Sequence, residues 1–548
     1  MTHPRVHAAL AAVVAAAGAG MLLPSCAALG PAPPADVHIG PASQPSGTSA
    51  PRTHASSQPS EPTALPEVPP SGPLTVTVEQ AILLALENNR DLSVQRLNPL
   101  IARSVEQQER AVFDPDVTAE AGVLSERQPQ DSGGRATSTD TELAAAVSQL
   151  LPAGTDVSVG LTADLLTADR RDDRYVTRLG LSINQALLRG AGVDVNLASV
   201  RQARIDTLIS EYELRGFAES LVARGEETYW DCALAQRTIE IVTDSLHLAE
   251  QQRDEIDERI KVGSLAETEL AAAEAEVALR REDLINARSA LATTRLRLLR
   301  LLNPAAADFW NREIVLKSPP SVPQVELDDV ETHVEVALRT RPDLNQARLG
   351  VRRDDLELVK TRNGLLPRMD LFITLGKSGY ADSFGESFAR LDDQDYDVLA
   401  GLRLEYPPGN RAAAARHSGA AYSREQALRA LENLAQLVQV DVRSAYIEVD
   451  RAREQVTATA ATRRLQEESL RAETEKFRVG KSTSFLVAQA QRDLLESQIG
   501  EVSAVVNYLK ALIELHLQEG VLLERRGISA PGAKPVDVSA RRQPQGPE

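Results

Sequence analysis

The stretch Glu258-Arg-Ile-Lys-Val-Gly-Ser264 recurs in this chain of 548 residues as Glu475-Lys-Phe-Arg-Val-Gly-Lys481. Each copy follows a helical pattern of about seventy residues and precedes a shorter helical pattern of about forty. A glycine at the end of such a pattern is typical of a helix C-cap, where the backbone takes a left-handed conformation. The sequence therefore predicts two long helical hairpins, each with a Val-Gly pair at its tip.

The first hairpin is predicted to be much longer than an ordinary globular helix pair. Residues 193–262 contain no proline and, as a helix, would span roughly 105 Å. The return helix is predicted over 264–302, where Asn303-Pro304 ends it. Its apolar residues recur at steps of three, four and seven, which indicates a coiled-coil seam. They are Leu270, Ala273, Val277, Leu284, Ala287, Leu291, Leu298 and Leu301.

The chain contains an internal duplication, which is the first feature to weigh in any sequence. Pro367 matches Pro115 at an offset of 252 residues, and Val479-Gly480 matches Val262-Gly263 at an offset of 217. The two offsets differ by 35 residues, so the first repeat is longer by about one β-hairpin.

Between the helical segments the apolar period changes to two, which indicates strands with one apolar face. Val157, Val159 and Leu161, for example, alternate with small polar residues and glycine. Six strands are predicted: 116–126, 140–151, 155–167, 175–188, 368–378 and 396–406. A helix is predicted ahead of the first strand, over 74–112, and it ends before Asp114-Pro115.

The N-terminal segment is typical of export. Residues 1–25 contain an apolar run that is too short to span a membrane, which predicts a signal peptide. The run ends in Leu23-Pro24-Ser25-Cys26, which resembles a bacterial lipoprotein signal in which Cys26 carries the lipid. Ordinary cleavage nearby is the alternative. By the lipoprotein rule, Ala27 after the cysteine implies delivery to the outer membrane.

The domain organisation follows from these patterns. Residues 26–73 are rich in Pro, Ala and Ser and are predicted to be a disordered tether, and 521–548 a disordered tail. The first repeat, 74–304, comprises a helix, four strands and a long helical hairpin. A link, 305–325, leads to the second repeat, 326–520, which comprises a helix, two strands and a long helical hairpin.

Composition and motifs argue against several function classes. The net charge of −18 argues against nucleic acid as a partner, because phosphate binding needs a basic surface. The eight histidines are scattered without metal-ligand spacing, and no nucleophile or HExxH motif occurs. We therefore predict no catalytic residue, no cofactor and no metal site.

An exported chain without an apolar helix after its signal, but with alternating strands, can span a membrane only as a closed barrel. Six strands are too few for a water-filled barrel, since outer-membrane barrels begin at eight. Several protomers would therefore share one barrel. The strands lie in the middle of each repeat, so each repeat would send its strands to one end and its Val-Gly tip to the other.

This layout resembles the TolC-like outer-membrane efflux protein family over about 74–520. The resemblance is carried by the duplicated tips at 261–263 and 478–480, the corner Gln185-Ala-Leu-Leu-Arg-Gly-Ala-Gly192 and the Asp114-Pro115 turn. It implies a mainly helical fold with a β-barrel: a homotrimer with a shared barrel in the outer-membrane lipid and a helical tunnel in the periplasm. It also implies a passive exit duct for efflux or type I secretion, coupled through a periplasmic adaptor to an inner-membrane pump or ABC transporter. Relatives contribute four strands per protomer, and this chain has six; the extra hairpin would either join the barrel wall or extend as a surface loop.

The resemblance also assigns roles to particular residues. Val262, Gly263 and Ser264 in one tip, and Val479, Gly480 and Lys481 in the other, would dock the adaptor. Glu269 matches an acidic gate position, and three copies would form an acidic ring; otherwise Glu269 is a solvated charge on a helix. In the second repeat, Leu486 and Gln489 stand where the family places acidic residues, so the usual two-aspartate constriction is absent.

One other function class fits part of the pattern. A coiled-coil structural protein, tethered to the envelope but forming no channel, would explain the long helices and the tether. It would not explain two β sections at matching places in both repeats.

Overall fold

The computed structural model describes residues 40–41, 72–129, 135–168, 174–303, 309–323, 326–392 and 394–536. The predicted signal, Cys26, most of the predicted tether and the end of the predicted tail therefore lie outside the described residues. Long helices and one large sheet make up most of the described chain, so the fold is mainly helical with a sheet. Within these ranges, no helix combines the length and the apolar character needed to cross a membrane.

The first repeat begins with short elements. They are strand β1 (Gly40–Pro41), strand β2 (Leu74–Val76) and helices α1 (Val78–Asn88), α2 (Arg90–Gln95) and α3 (Leu97–Ala111). The prediction of one continuous helix over 74–112 was wrong. Thr77 caps α1 in a reciprocal capping box with Gln80, and the Asn89 side chain accepts the Leu92 N–H at 3.0 Å to start α2. Each cap fixes a helix start that apolar periodicity does not reveal.

Four strands and the first hairpin follow. The strands are β3 (Asp116–Pro129), β4 (Arg135–Leu151), β5 (Thr155–Ala168) and β6 (Arg174–Ala186). The helices are α4 (Val193–Asn196), α5 (Ala198–Lys261) and α6 (Thr268–Leu302). The predicted long helix is interrupted only at Leu197, and α5 alone spans about 96 Å at the usual rise.

The second repeat has the same order with fewer strands. Its elements are β7 (Ile314–Leu316), α7 (Val330–Thr340), α8 (Pro342–Asn363), β8 (Arg368–Ala381), α9 (Phe384–Ala389), β9 (Tyr396–Glu405), α10 (Arg411–Arg478), α11 (Ser484–Glu519), α12 (Leu522–Arg525) and β10 (Ile528–Ser529). Strand β7 lies in the predicted link and pairs in parallel with β2, so the two repeats are joined at this point.

The six long strands form one antiparallel sheet in the order β3-β4-β5-β6-β8-β9. The two repeats meet inside this sheet, where β6 pairs with β8 from Tyr175↔Ala381 to Ala186↔Asp370. One row of paired residues is apolar across the whole sheet: Val117, Val147, Val159, Leu181, Leu375 and Val398. The alternation predicted from the sequence therefore produces one apolar face and one polar face.

The helical core lies where the hairpins pack against the shorter helices. In the second repeat a cluster of buried side chains joins α7, α8, α10 and α11 around Leu344, Val442 and Tyr508. In α6, five of the predicted seam residues are buried, namely Ala273, Val277, Leu284, Ala287 and Leu298. These residues hold α6 against neighbouring helices, as a coiled-coil seam does.

The described part of the C-terminal segment, up to residue 536, contradicts the prediction of a disordered tail that began at 521. Within the described part, Leu522 and Leu523 are fully buried, and β10 pairs with β1. The Arg526 guanidinium forms two hydrogen bonds to the buried Glu226 carboxylate of α5, at 2.7 and 2.5 Å. Because the tail has few apolar residues, its sequence did not predict these few long-range contacts.

Candidate functional site

The first hairpin tip ends α5 in a Schellman motif. The Gly263 N–H donates to the Ile260 carbonyl at 2.8 Å, and the Ser264 N–H donates to the Arg259 carbonyl at 2.9 Å. Gly263 has φ of +72°, in the left-handed region that favours glycine. These two bonds satisfy carbonyls that the helix end would otherwise leave unpaired, and they turn the chain back toward α6.

The second tip repeats this geometry. The Gly480 N–H donates to the Phe477 carbonyl at 3.1 Å, and the Lys481 N–H donates to the Lys476 carbonyl at 2.8 Å. Gly480 also has φ of +72°. The duplicated sequence therefore produces two tips with the same backbone hydrogen bonds.

Both tips present an apolar side chain to solvent. Val262 is 78% exposed and Val479 is 65% exposed. A Cβ added at Gly263 or Gly480 would meet no other atom within 4 Å. The Val-Gly pairs are therefore accessible in the single chain, and the fold itself does not need the valine side chains.

The two tips pack against each other through a small core. Ile256 of α5, Ala273 of α6, Phe477 of α10 and Val487 of α11 are buried together. The Arg259 guanidinium lies over the Phe477 ring, 5.1 Å from its centre. This contact joins the two hairpins in a cation–π arrangement.

Glu269 links the hairpins rather than standing free on a helix surface. Ser484, the first residue of α11, donates a hydrogen bond from its hydroxyl to the Glu269 carboxylate. Ser484 is buried and Glu269 is half-buried. Leu486, at the matching position of the second repeat, is 46% exposed, and Gln489 is also exposed.

Most charges at the tips are paired within their own helix. Lys261 contacts Asp257 and Glu258, each at 2.8 Å, and the hydrogen bonds that its ammonium donates to these carboxylates raise the pKa of Lys261. Arg478 contacts Glu475 at 2.9 Å. Among the described residues, Lys481 has no ion-pair partner within 4 Å, so it is an exposed positive charge beside Val479.

A groove lies behind the tips, between α5, α6 and α11. Its volume is about 390 Å³, and we call it the tip groove. Its lining includes Gln252, Ile256, Glu276, Phe485, Gln491 and Arg492. The Gln491 amide donates to the Gln252 side chain at 2.5 Å, and the Phe485 ring is 61% exposed.

The predicted site residues thus fall into two groups. The structure brings together the two Val-Gly tips and Glu269, whereas Cys26 lies outside the described residues. Sequence reasoning missed Phe477, Ser484 and the tip groove. Phe477 carried a signal, since only 3% of the residues are aromatic and this ring lies two positions before a tip valine.

Several solved structures with the same fold are described as membrane channels. The structure of CusC, described in connection with transmembrane channel formation, has 16% sequence identity and a TM-score of 0.61, and the match covers 85% of this chain and 98% of CusC. The Campylobacter jejuni CmeC outer membrane channel has 14% identity and a TM-score of 0.60, with 82% and 89% of the two chains covered. The Neisseria gonorrhoeae MtrE outer membrane channel has 18% identity and a TM-score of 0.58, with 81% and 89% covered. No curated protein sequence matches the chain.

The sequence itself matches one family over most of its length. The sequence profile described as "Outer membrane efflux protein" matches residues 81–304 and 334–520. The first segment contains the first tip and strands β3 to β6, and the second contains the other tip with β8 and β9. The chain belongs to the outer membrane efflux protein family.

Proposed function

We propose that this chain forms the outer-membrane exit channel of a tripartite efflux or type I secretion system. The family match across both repeats carries the proposal. A channel of this kind is a passive conduit: the tunnel supplies the path and an inner-membrane pump or ABC transporter supplies the energy. Transport through a conduit needs no catalytic residue.

The channel would be a homotrimer with a shared β-barrel. One protomer offers six strands with one apolar face, fewer than the eight strands of the smallest outer-membrane barrels. Closing the sheet with further copies would satisfy the edge strands in lipid. The long hairpins would then form a helical tunnel in the periplasm, with the tips at its far end.

The paired tips would dock a periplasmic adaptor protein. Val262 and Val479 are exposed, and Lys481 adds a positive charge beside them. Apolar side chains held on a rigid helix end are suited to a protein partner, because little conformational freedom is lost on binding. Gly263, Ser264 and Gly480 would contribute by setting the shape of the two turns.

Two further roles complete the proposal. Cys26 would carry the lipid that anchors the N-terminus in the outer membrane. Glu269 would contribute an acidic ring at the tunnel entrance, and its bond to Ser484 would fix the position of the carboxylate. Opening the tunnel would then involve movement of α6 relative to α11.

The native mass of the detergent-extracted outer-membrane fraction tests the channel. Three protomers, each of 59.3 kDa before processing, found only after detergent extraction would support it. A soluble dimer or an elongated monomer would overturn it and favour the coiled-coil structural protein. Conductance across a planar bilayer separates the same two functions, since only a channel conducts.

Two variants test the assigned residues. The pair Gly263→Asp with Gly480→Asp should abolish adaptor pull-down, while Gly419→Asp, at an exposed glycine near the start of α10, should leave it unchanged. Unchanged pull-down by the folded tip variant would refute docking at the tips. Cys26→Ala should abolish incorporation of labelled palmitate, and equal incorporation would refute the lipid assignment.

A further inference from the structure

We propose that all six strands of each protomer belong to the barrel wall, and that each outer edge of the sheet pairs with a second copy of this chain. A trimer would then close through eighteen strands, three times the six of one sheet. The inference rests on the proposed trimeric channel. It assigns the hairpin β3–β4, which lies at one edge of the sheet, to the wall instead of to a surface loop.

The first argument is the continuity of the sheet. Strand β4 pairs with β5 from Ser138↔Ala168 to Leu151↔Thr155, along the whole length of β5. Strand β3 in turn pairs with β4 from Asp116↔Ser148 to Pro129↔Arg135. The hairpin is therefore in register with the rest of the sheet from one end to the other, and no break separates it.

The second argument is the apolar face, which continues across the hairpin. Val117, Ala119, Ala121 and Val123 of β3 lie on the same face as Val159 and its neighbours in β5. On β4 the matching residues are Leu143, Ala145 and Val147. Val117 and Val123 are more than half exposed in the single chain, at 55% and 53%. A hairpin standing in water would gain nothing from this face, whereas a wall facing lipid requires it.

The opposite face of the hairpin carries its acidic residues, together with Leu124 and Leu150. Glu142 lies between Gly122 of β3 and Asp164 of β5 in one row. Glu120 of β3 is on the same face, one row away. Apolar and polar residues thus alternate along the hairpin as they do in barrel strands whose polar side faces a water-filled lumen.

The third argument concerns the two edges. Within the described ranges, no strand pairs with the outer edge of β3 or of β9. Neighbours alternate in direction across six strands, so β9 runs antiparallel to β3. The β9 edge of one copy can therefore pair in antiparallel fashion with the β3 edge of the next. Strands of 10 and 14 residues are long enough to cross the hydrocarbon layer, which takes about 9–11 tilted residues.

A second copy is the occupant that these features favour. An unpaired edge in lipid would leave backbone groups without hydrogen-bond partners, and only closure removes it. The same sheet supplies both complementary edges and an apolar face that is continuous across the seam. A different protein would have to match both edges independently.

Cysteine pairs across the seam test the inference in the full-length protein with Cys232→Ala. One of Val117, Ala119, Ala121 and Val123 in β3 is replaced by Cys together with one of Val398, Ala400 and Leu402 in β9. The set covers several registers, because closing a barrel requires a stagger between strands. All positions lie on the apolar face. We expect at least one pair to give covalent dimers and trimers on oxidation, since paired strands lie within disulfide reach.

The matched control uses the same β9 cysteines with Cys at Val157, Val159 or Leu161 of β5. In an eighteen-strand barrel β5 lies roughly 14 Å from β9 of the neighbouring copy, too far for a disulfide. Cross-linking of β5 to β9 in a native trimer, or a native trimer without any β3–β9 cross-link, would overturn the inference and leave the channel standing. A particle that is not trimeric by native mass would overturn the channel itself and this inference with it.

Discussion

The hydroxyl of Ser484 donates a hydrogen bond to the carboxylate of Glu269, and this bond joins the first turns of the two return helices. The two residues come from different repeats and lie 215 positions apart in the chain. Ser484 is buried, so its hydroxyl depends on this partner. The contact fixes one hairpin tip against the other.

We therefore expect Ser484→Ala and Glu269→Gln to be energetically coupled. A hydrogen bond to a charged group contributes about 1.5–3 kcal/mol, so the coupling free energy should be on the order of 1 kcal/mol or more. A double-mutant cycle on the free energy of unfolding of the detergent-solubilised protein measures it. Ser497→Ala is the control, because Ser497 bonds only the Leu494 carbonyl of its own helix at 2.8 Å. Additive effects of the first pair would contradict the prediction.

The tip glycines should be costly to replace although there is space around them. At φ of +72°, alanine suffers the left-handed backbone penalty of about 1–2 kcal/mol, so Gly263→Ala and Gly480→Ala should each lower the unfolding temperature. Gly500→Ala is the control. Gly500 lies inside α11 with no atom within 4 Å of an added Cβ, and alanine there should stabilise the helix by about 0.5–1 kcal/mol. The same sign of effect at all three positions would refute this explanation.

The contact between Arg526 and Glu226 should contribute strongly to stability. Burial raises the pKa of Glu226, and Arg526 offsets part of that rise. Arg526→Ala would leave a buried carboxylate without its partner, which costs about 3–5 kcal/mol. The exposed pair Arg429–Glu425 supplies the control, since Arg429→Ala should cost at most about 1 kcal/mol.

Thermal unfolding of the two single variants measures the difference. Replacing both partners, as Glu226→Gln with Arg526→Gln, should recover part of the loss because the uncompensated charge of the buried Glu226 is removed. If Arg526→Ala unfolds at the same temperature as Arg429→Ala, the C-terminal segment does not contribute to the fold as described.

We expect the free energy of unfolding to fall as the pH falls, because protonation of His516 favours the unfolded state. Burial first, and then the charges of Arg525 and Arg526, lower the pKa of His516 to about 3, whereas an unfolded chain has a histidine pKa near 6.5. The His516 side chain therefore stays neutral in the folded state, whereas it binds a proton in the unfolded state. The stabilisation is therefore complete above pH 6.5 and is lost as the pH falls from 6.5 towards 3.

As the pH falls from 6.5 to 5, protonation of His516 in the unfolded state should lower the free energy of unfolding by about 2 kcal/mol. His516→Leu should flatten that part of the pH profile, and His247→Gln, at an exposed position of α5, should not. A profile that keeps its slope in His516→Leu would mean that other groups cause the acid sensitivity.

Much of the secondary structure could be predicted because it depends on local patterns. The period-two alternation around Val159 indicates which face of β5 is apolar. The heptad spacing around Val277 indicates which side of α6 is buried. The left-handed glycines 263 and 480 mark where the long helices end. Breaks set by a single side chain, such as Asn89 at the start of α2, were missed because periodicity averages over them.

Only part of the candidate site could be predicted from the sequence. The duplicated tips could be found from residue types alone, but Phe477 and Ser484 gain their roles from contacts with the other repeat. The burial of Leu522 and Leu523 against α5 was likewise hidden, because a short apolar pair in a polar tail predicts no partner.

The sequence by itself determined the long helical hairpins, the six amphipathic strands and the two glycine turns, since each follows from residues close together in the chain. Only the tertiary structure decided that the two tips pack side by side, that Glu269 is held by Ser484, and that the β3–β4 hairpin continues the sheet. Those outcomes depend on side chains and strand edges more than a hundred residues apart or on the register of whole strands. Local propensity does not encode such pairings; the packing free energy of the complete fold selects them.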